Sequence, residues 1–122
     1  MSQDRRRHRS SIREKALDLS LCAAARSARI AGVVLADSRG LLVASSMKGP
    51  GAEMLAAAGA VLASTGLMPE FCGPRLPSRI VARKLRHNRE VFCLCAAGEP
   101  REARTAVRLA GICVKRILRT GG

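Results

Sequence analysis

AGVVLADSRGLLVASS, residues 31–46, is the stretch whose reading decides the fold of this 122-residue chain. Two apolar runs flank Asp37-Ser38-Arg39-Gly40, a linker short enough to fold them back as a hairpin. In the first strand Val33 and Leu35 face one way, Val34 and Ala36 the other. In the return strand Leu41 and Val43 face opposite to Leu42 and Ala44. Neither run alternates with polar residues. Two apolar faces on antiparallel strands require packing on both sides, so the hairpin predicts an antiparallel sheet sandwiched between helices.

Outward from the hairpin, the chain supplies those helices. Toward the N-terminus, Ile12, Ala16, Leu19 and Ala23 form one helical stripe, with Leu17, Leu21, Ala24 and Ala28 beside it. Ser11 with Glu14 reads as a capping box, and the helix is expected to end near Ala28. Residues 1–10 are polar and Arg-rich and read as a disordered tail. After a break at Lys48–Gly51, an Ala-rich helix carries Met54, Leu55, Ala58, Val61 and Leu62 on one stripe and stops at Gly66. The segment LMPEFCGPRLP (67–77) holds three prolines, which disfavours a ladder strand. Two strands follow, near Arg79–Leu85 and Glu90–Ala97, again apolar on both parities. A last helix opens at Pro100, with Ala103, Val107, Ala110, Val114 and Ile117 inward and Arg104, Arg108, Lys115, Arg116 and Arg119 outward.

The length allows one domain with a single core. Only Phe71 and Phe92 are aromatic, so that core is built from Leu, Val, Ile and Ala. The formal charge of +13 is uneven: residues 1–15 hold six basic side chains against two acidic, 16–71 four against four, and 72–122 twelve against three. Such a balance draws a protein toward acidic partners, nucleic acid or anionic lipid. Eighteen of the 22 basic residues are Arg, a bias that GC-rich coding also produces. Five cysteines without framework spacing read as reduced, buried thiols, and the expected compartment is the cytoplasm. No run reaches the roughly 20 apolar residues that span a bilayer.

Catalytic chemistry finds little purchase. His8 lies in the tail and His87 in a turn between arginines, with no nucleophile nearby in sequence. Cys93-x-Cys95 shares one strand face but lacks paired zinc-ligand spacing, and MKGPGAEM (47–54) lacks the phosphate-loop pattern. The expectation is a non-enzyme without catalytic residues, metal or cofactor.

The ordered whole resembles the roadblock/LC7 domain family over residues 11–119, leaving 120–122 as a C-terminal tail. A hydrophobic strand ends in an Asp-x-x-Gly turn (Asp37, Gly40), and the return strand (Leu41 to Ser46) ends in small residues. An Ala-rich helix (Glu53 to Leu62), the strands RIVARKL and VFCLCAA, and a closing helix (Arg101 to Leu118) complete the match. The resemblance implies a profilin-like α/β domain of four to five antiparallel strands in the order α-β-β-α-(β)-β-β-α. It places the central helix on one face and the terminal helices on the other. The family's third strand falls on the proline-bearing 67–77 segment. It further implies a dimer, with itself or with a paralogue, that activates or scaffolds a small Ras-like GTPase. In a bacterium, to which the composition points, that GTPase would control polarity or motility.

Two sets of site residues follow. The central-helix stripe Met54, Leu55, Ala58, Val61 and Leu62 is the expected dimer or partner contact. Arg79, Arg83, Lys84, Arg86 and Arg89, joined by Arg104, Arg108 and Arg116, form the expected basic patch at one sheet edge. The alternative function is a basic adaptor that binds nucleic acid or an anionic surface through the tail and the 79–89 strand. The scarcity of aromatic residues for base stacking weighs against nucleic acid.

Overall fold

The computed structural model describes residues 2–47, 49–66 and 80–120, with side chains from Ile12 onward. Three helices and four strands follow in the order α1 (Ser2–Ala28), β1 (Gly32–Asp37), β2 (Leu42–Ser45), α2 (Pro50–Thr65), β3 (Ile80–His87), β4 (Glu90–Ala97) and α3 (Pro100–Thr120). The strands form one antiparallel sheet in the spatial order β2-β1-β4-β3. The proline-bearing 67–77 segment, with its question of a further strand, lies outside the described residues, as does Arg79.

The parity of the strands explains the layers. Antiparallel partners share a face, and the register pairs Leu35 with Leu94 and Val34 with Cys95. Val33, Leu35, Phe92, Leu94 and Ala96 therefore pack with α1 and α3, together with Val81 and Leu85 of β3. Val34, Ala36, Cys93, Cys95 and Ala97 pack with α2, together with Ile80 and Ala82. The central strands β1 and β4 are thus covered on both sides, as the unalternating apolar runs require.

The two faces differ in bulk. Leucine, valine and phenylalanine dominate the side under α1 and α3, which also pack on each other. The α2 side is built of alanine and cysteine, and α2 approaches the sheet closely there. A Cβ placed on Gly59 would lie 2.6 Å from both Cβ and Sγ of Cys95. The Cys93 thiol donates to the Gly59 carbonyl at 3.4 Å. Burial pushes the Cys93 thiol up from the ordinary thiol range, against lesser opposing pulls from the Arg83 backbone and the Lys84 charge. Cys93 and Cys95 are both buried, in keeping with their reading as core thiols.

The hairpin turn works as its residues predict. Asp37 Oδ1 accepts from the backbone N–H of Arg39 (2.9 Å) and Leu41 (3.0 Å), while Gly40 N–H donates to the Asp37 carbonyl at 3.0 Å. Gly40 has φ +85°, which favours glycine, and the turn lies against Ala57 and Ala60 of α2. The return strand departs from expectation. Leu35 faces Ala44 and Ala36 faces Leu42, so Val43 is the extra residue of a β-bulge. The bulge puts Leu42 and Ala44 on opposite faces, where unbroken alternation placed them together. At this sheet edge Leu41 and Leu42 are exposed. The Ser45 N–H of β2 donates to Asp18 Oδ1 of α1 at 2.9 Å, which ties that edge to the helix.

The helix ends follow their residues less uniformly. Helical backbone starts at Ser2, so the stretch 1–10, read from sequence as a disordered tail, instead contributes residues 2–10 to α1. Arginine is a good helix former, and no proline or glycine interrupts the run. Of the two α1 stripes, Leu17, Leu21, Ala24 and Ala28 face the core, while Ile12, Leu19 and Ala23 are exposed. The α2 helix ends at Gly66 in the left-handed region, its N–H donating to Leu62 O at 2.8 Å. No helix among the described residues is long and apolar enough to cross a membrane.

Candidate partner groove

The last helix is amphipathic along its whole length. Ala103, Ala106, Val107, Ala110, Val114 and Leu118 are buried against the sheet and α1. The opposite face is basic. Arg104, Arg108, Ile112, Lys115 and Arg119 follow one another at spacings of four, four, three and four, so they form a single stripe along α3. Beside this stripe runs β3, an edge strand among the described residues, whose Arg83, Lys84 and Arg86 are exposed.

Between β3 and α3 the surface sinks into two adjoining depressions, and a third follows along the C-terminal part of α3, where no described β3 residue lines it. The first, about 390 Å³, is lined by Val81, Ala82, Arg83, Arg104, Thr105, Val107 and Arg108. The second, about 210 Å³, shares Arg83 and Arg108 with it and adds Lys84, Leu85, Arg86, Leu94, Gly111, Ile112 and Lys115. The third, about 300 Å³, shares Ile112 and Lys115 with the second and extends past Arg116 to Arg119 and Thr120. The shared residues make one continuous groove. Its described lining is cationic and apolar, and none of the described lining residues is acidic.

Of the expected basic patch, Arg83 shares the α3 face of the sheet and is brought together with Arg104 and Arg108, whereas Lys84 and Arg86 border the second depression but alternate onto the α2 face with Ala82 and Cys93, and Arg116 lines only the third. Arg89 is not in the groove: it occupies the two-residue turn Asn88-Arg89, with φ of 48° and 70°. That is a primed hairpin turn, in which Asn at the first position is favoured and Gly at the second. An arginine there carries a backbone penalty of about 1 kcal/mol. Arg89→Gly is therefore expected to stabilise the protein by roughly that amount. Chemical denaturation of the two proteins would measure it, and an unchanged midpoint would show that the turn bears no strain.

The α2 stripe divides. Leu55 and Ala58 are fully buried, Leu55 within the α2–sheet core, while Met54, Val61 and Leu62 are partly exposed. Only these three offer surface to another molecule. Among the described residues, no group of three His, Cys, Asp or Glu is placed to hold a metal ion. His87 meets Asn88 Nδ2 through its Nε2 at 3.2 Å, at the tip of the β3–β4 hairpin. The part of the groove that residue type alone missed is Ile112, which is 55% exposed amid the cations. Its place in the four-four-three-four spacing was the signal that pointed to it.

Fold and groove together define a small three-layer α/β domain with an extended basic depression at one sheet edge. No family model, curated protein or solved structure matches the chain.

Proposed function

We propose that this chain is a non-catalytic interaction module of the roadblock/LC7 type that regulates or scaffolds a small Ras-like GTPase as a dimer. The observation that carries the reading is the layering. A lone Ala-rich central helix lies on one face of a four-stranded antiparallel sheet and the two terminal helices on the other, as the resemblance implies. Such a module acts by binding one nucleotide state of its partner better than the other, and so shifts that partner's populations. With Leu55 and Ala58 committed to the core, a dimer contact through α2 runs over Met54, Val61 and Leu62.

The experiment is a pull-down from nuclease-treated lysate with GDP or a non-hydrolysable GTP analogue, with retained proteins identified by mass spectrometry. A Ras-like GTPase retained in one nucleotide state is the expected result; its absence in both overturns the reading. Light scattering is expected to give twice the 13.0 kDa chain mass, and a monomer would remove the dimer from the proposal.

The convergence of β3 and α3 cations favours a second reading, a basic adaptor that binds nucleic acid or an anionic surface through the Arg-rich N-terminal stretch and the 79–89 strand. Its mark is affinity that falls steeply with salt, because phosphate contacts release counterions.

A further inference from the structure

The β3–α3 groove has a shape and a chemistry that select an occupant, whether or not the partner is a GTPase. From Arg104 to Arg119 the cationic stripe of α3 spans sixteen residues, or roughly 22 Å at 1.5 Å per residue, and its first twelve residues, to Lys115, run beside β3. That is about four turns of a second helix lying alongside. Arg83 stands on the β3 side and Arg104, Arg108 and Lys115 on the α3 side, Val81, Leu85 and Val107 form the apolar lining between them, and the exposed Ile112 stands among the α3 cations. We propose that this groove docks an acidic amphipathic helix supplied by another protein. Its apolar stripe would cover the floor, and its flanking carboxylates would meet Arg83, Arg104, Arg108, Lys115 and Arg119.

Two other occupants fit less well. A second copy of this chain would bring +13 against +13, and residues 72–122 contain only three acids to offset twelve basic groups. A nucleic acid would satisfy the cations but leave the apolar floor uncovered. Among the described residues the groove has no aromatic side chain on which bases stack, and Phe92 is buried in the α1/α3 core. Only an amphipathic polyanion uses both halves of the surface.

The test is a selection of helix-forming peptides of random sequence from a display library on the full chain at about 150 mM salt. Affinities of the selected peptides are then measured on the parent protein and two variants. A DNA duplex and phosphatidylserine vesicles are measured in parallel. The expected winners are rich in Asp and Glu and carry Leu or Ile at i, i+3, i+4 and i+7. Arg108→Glu with Lys115→Glu is expected to weaken them about tenfold or more. Ile112→Ser is expected to weaken them about fivefold while leaving duplex binding unchanged. All three positions are exposed, so circular dichroism should show unaltered folding. Winners without acidic residues, or insensitive to the charge reversal, overturn the proposal. So does a library that yields no binder. Duplex or vesicle binding tighter than every peptide and indifferent to Ile112→Ser reassigns the groove to those polyanions.

Discussion

Replacing Leu94 with alanine is expected to cost about 3 kcal/mol, the largest loss of any single truncation considered for this protein. Leu94 is fully buried in β4, a central strand, paired with Leu35 on one side and Arg83 on the other. It lies in the larger core, beneath α3, where Leu94 Cδ1 comes within 3.6 Å of a Cβ placed on Gly111. Two helices and a sheet enclose the site, so the space left by the side chain cannot collapse readily, and the cavity term adds to the transfer term. For a chain of this size the loss corresponds to a fall in Tm of roughly 10–15 °C. Calorimetry of Leu94→Ala would check it. A fall under about 3 °C would mean that the layers close over the gap.

Gly59→Ala is the second large effect, and its sign runs against helix propensity. Alanine in a helix interior is favoured over glycine by about 1 kcal/mol. Here the new methyl would meet Cys95 Cβ at 2.6 Å, an atom fixed to a central strand and unable to swing aside. Overpacking of this kind costs about 1–3 kcal/mol, and the fixed neighbour puts Gly59 at the upper end. A net loss of about 2 kcal/mol is expected, as α2 is levered off the sheet. Gly32 supplies the control. A Cβ there meets the side chain of Met47, a flexible thioether that can turn away, so Gly32→Ala should be nearly neutral. In denaturant melts, equal effects at the two glycines would refute the close-packing account of α2. Combining Gly59→Ala with Cys95→Gly should recover part of the loss, because the double variant removes the atom that is struck.

Much of the architecture was open to reading because local chemistry and burial point the same way in the central strands. The unalternating runs of β1 and β4 required two covered faces, and large side chains such as Val33, Leu35 and Leu94 lie where parity put them. The Asp37–Gly40 turn and the Gly66 helix stop act through bonds within a few residues, so their conformations were written locally. Where the outcome depended on distant neighbours, reading along the chain fell short. The Val43 bulge reorients Leu42 against the pattern, at an edge where, among the described residues, no second neighbouring strand holds the register. The α1 helix carries two apolar stripes, and packing against α3 and the sheet selects Leu17 and Leu21 over Ile12 and Leu19. In the α2 stripe, Leu55 and Ala58 are taken into the core, leaving Met54, Val61 and Leu62 partly exposed.

The groove shows the same division. That α3 carries a cationic stripe follows from its sequence, because helical spacing alone lines up Arg104, Arg108, Lys115 and Arg119. That the stripe lies beside Arg83, while Lys84 and Arg86 alternate onto the α2 face, follows from β3 pairing with β4 and from α3 packing over the Val81–Leu85 face. By itself, then, the sequence determined the elements, their apolar faces and the basic character of the C-terminal half. Tertiary structure alone decided which stripes are buried, how closely α2 approaches the sheet, and the convergence of two basic segments into one groove. The physical reason is range: turns, caps and periodicity are set by neighbours along the chain, whereas burial and charge convergence are set by contacts between residues far apart in it.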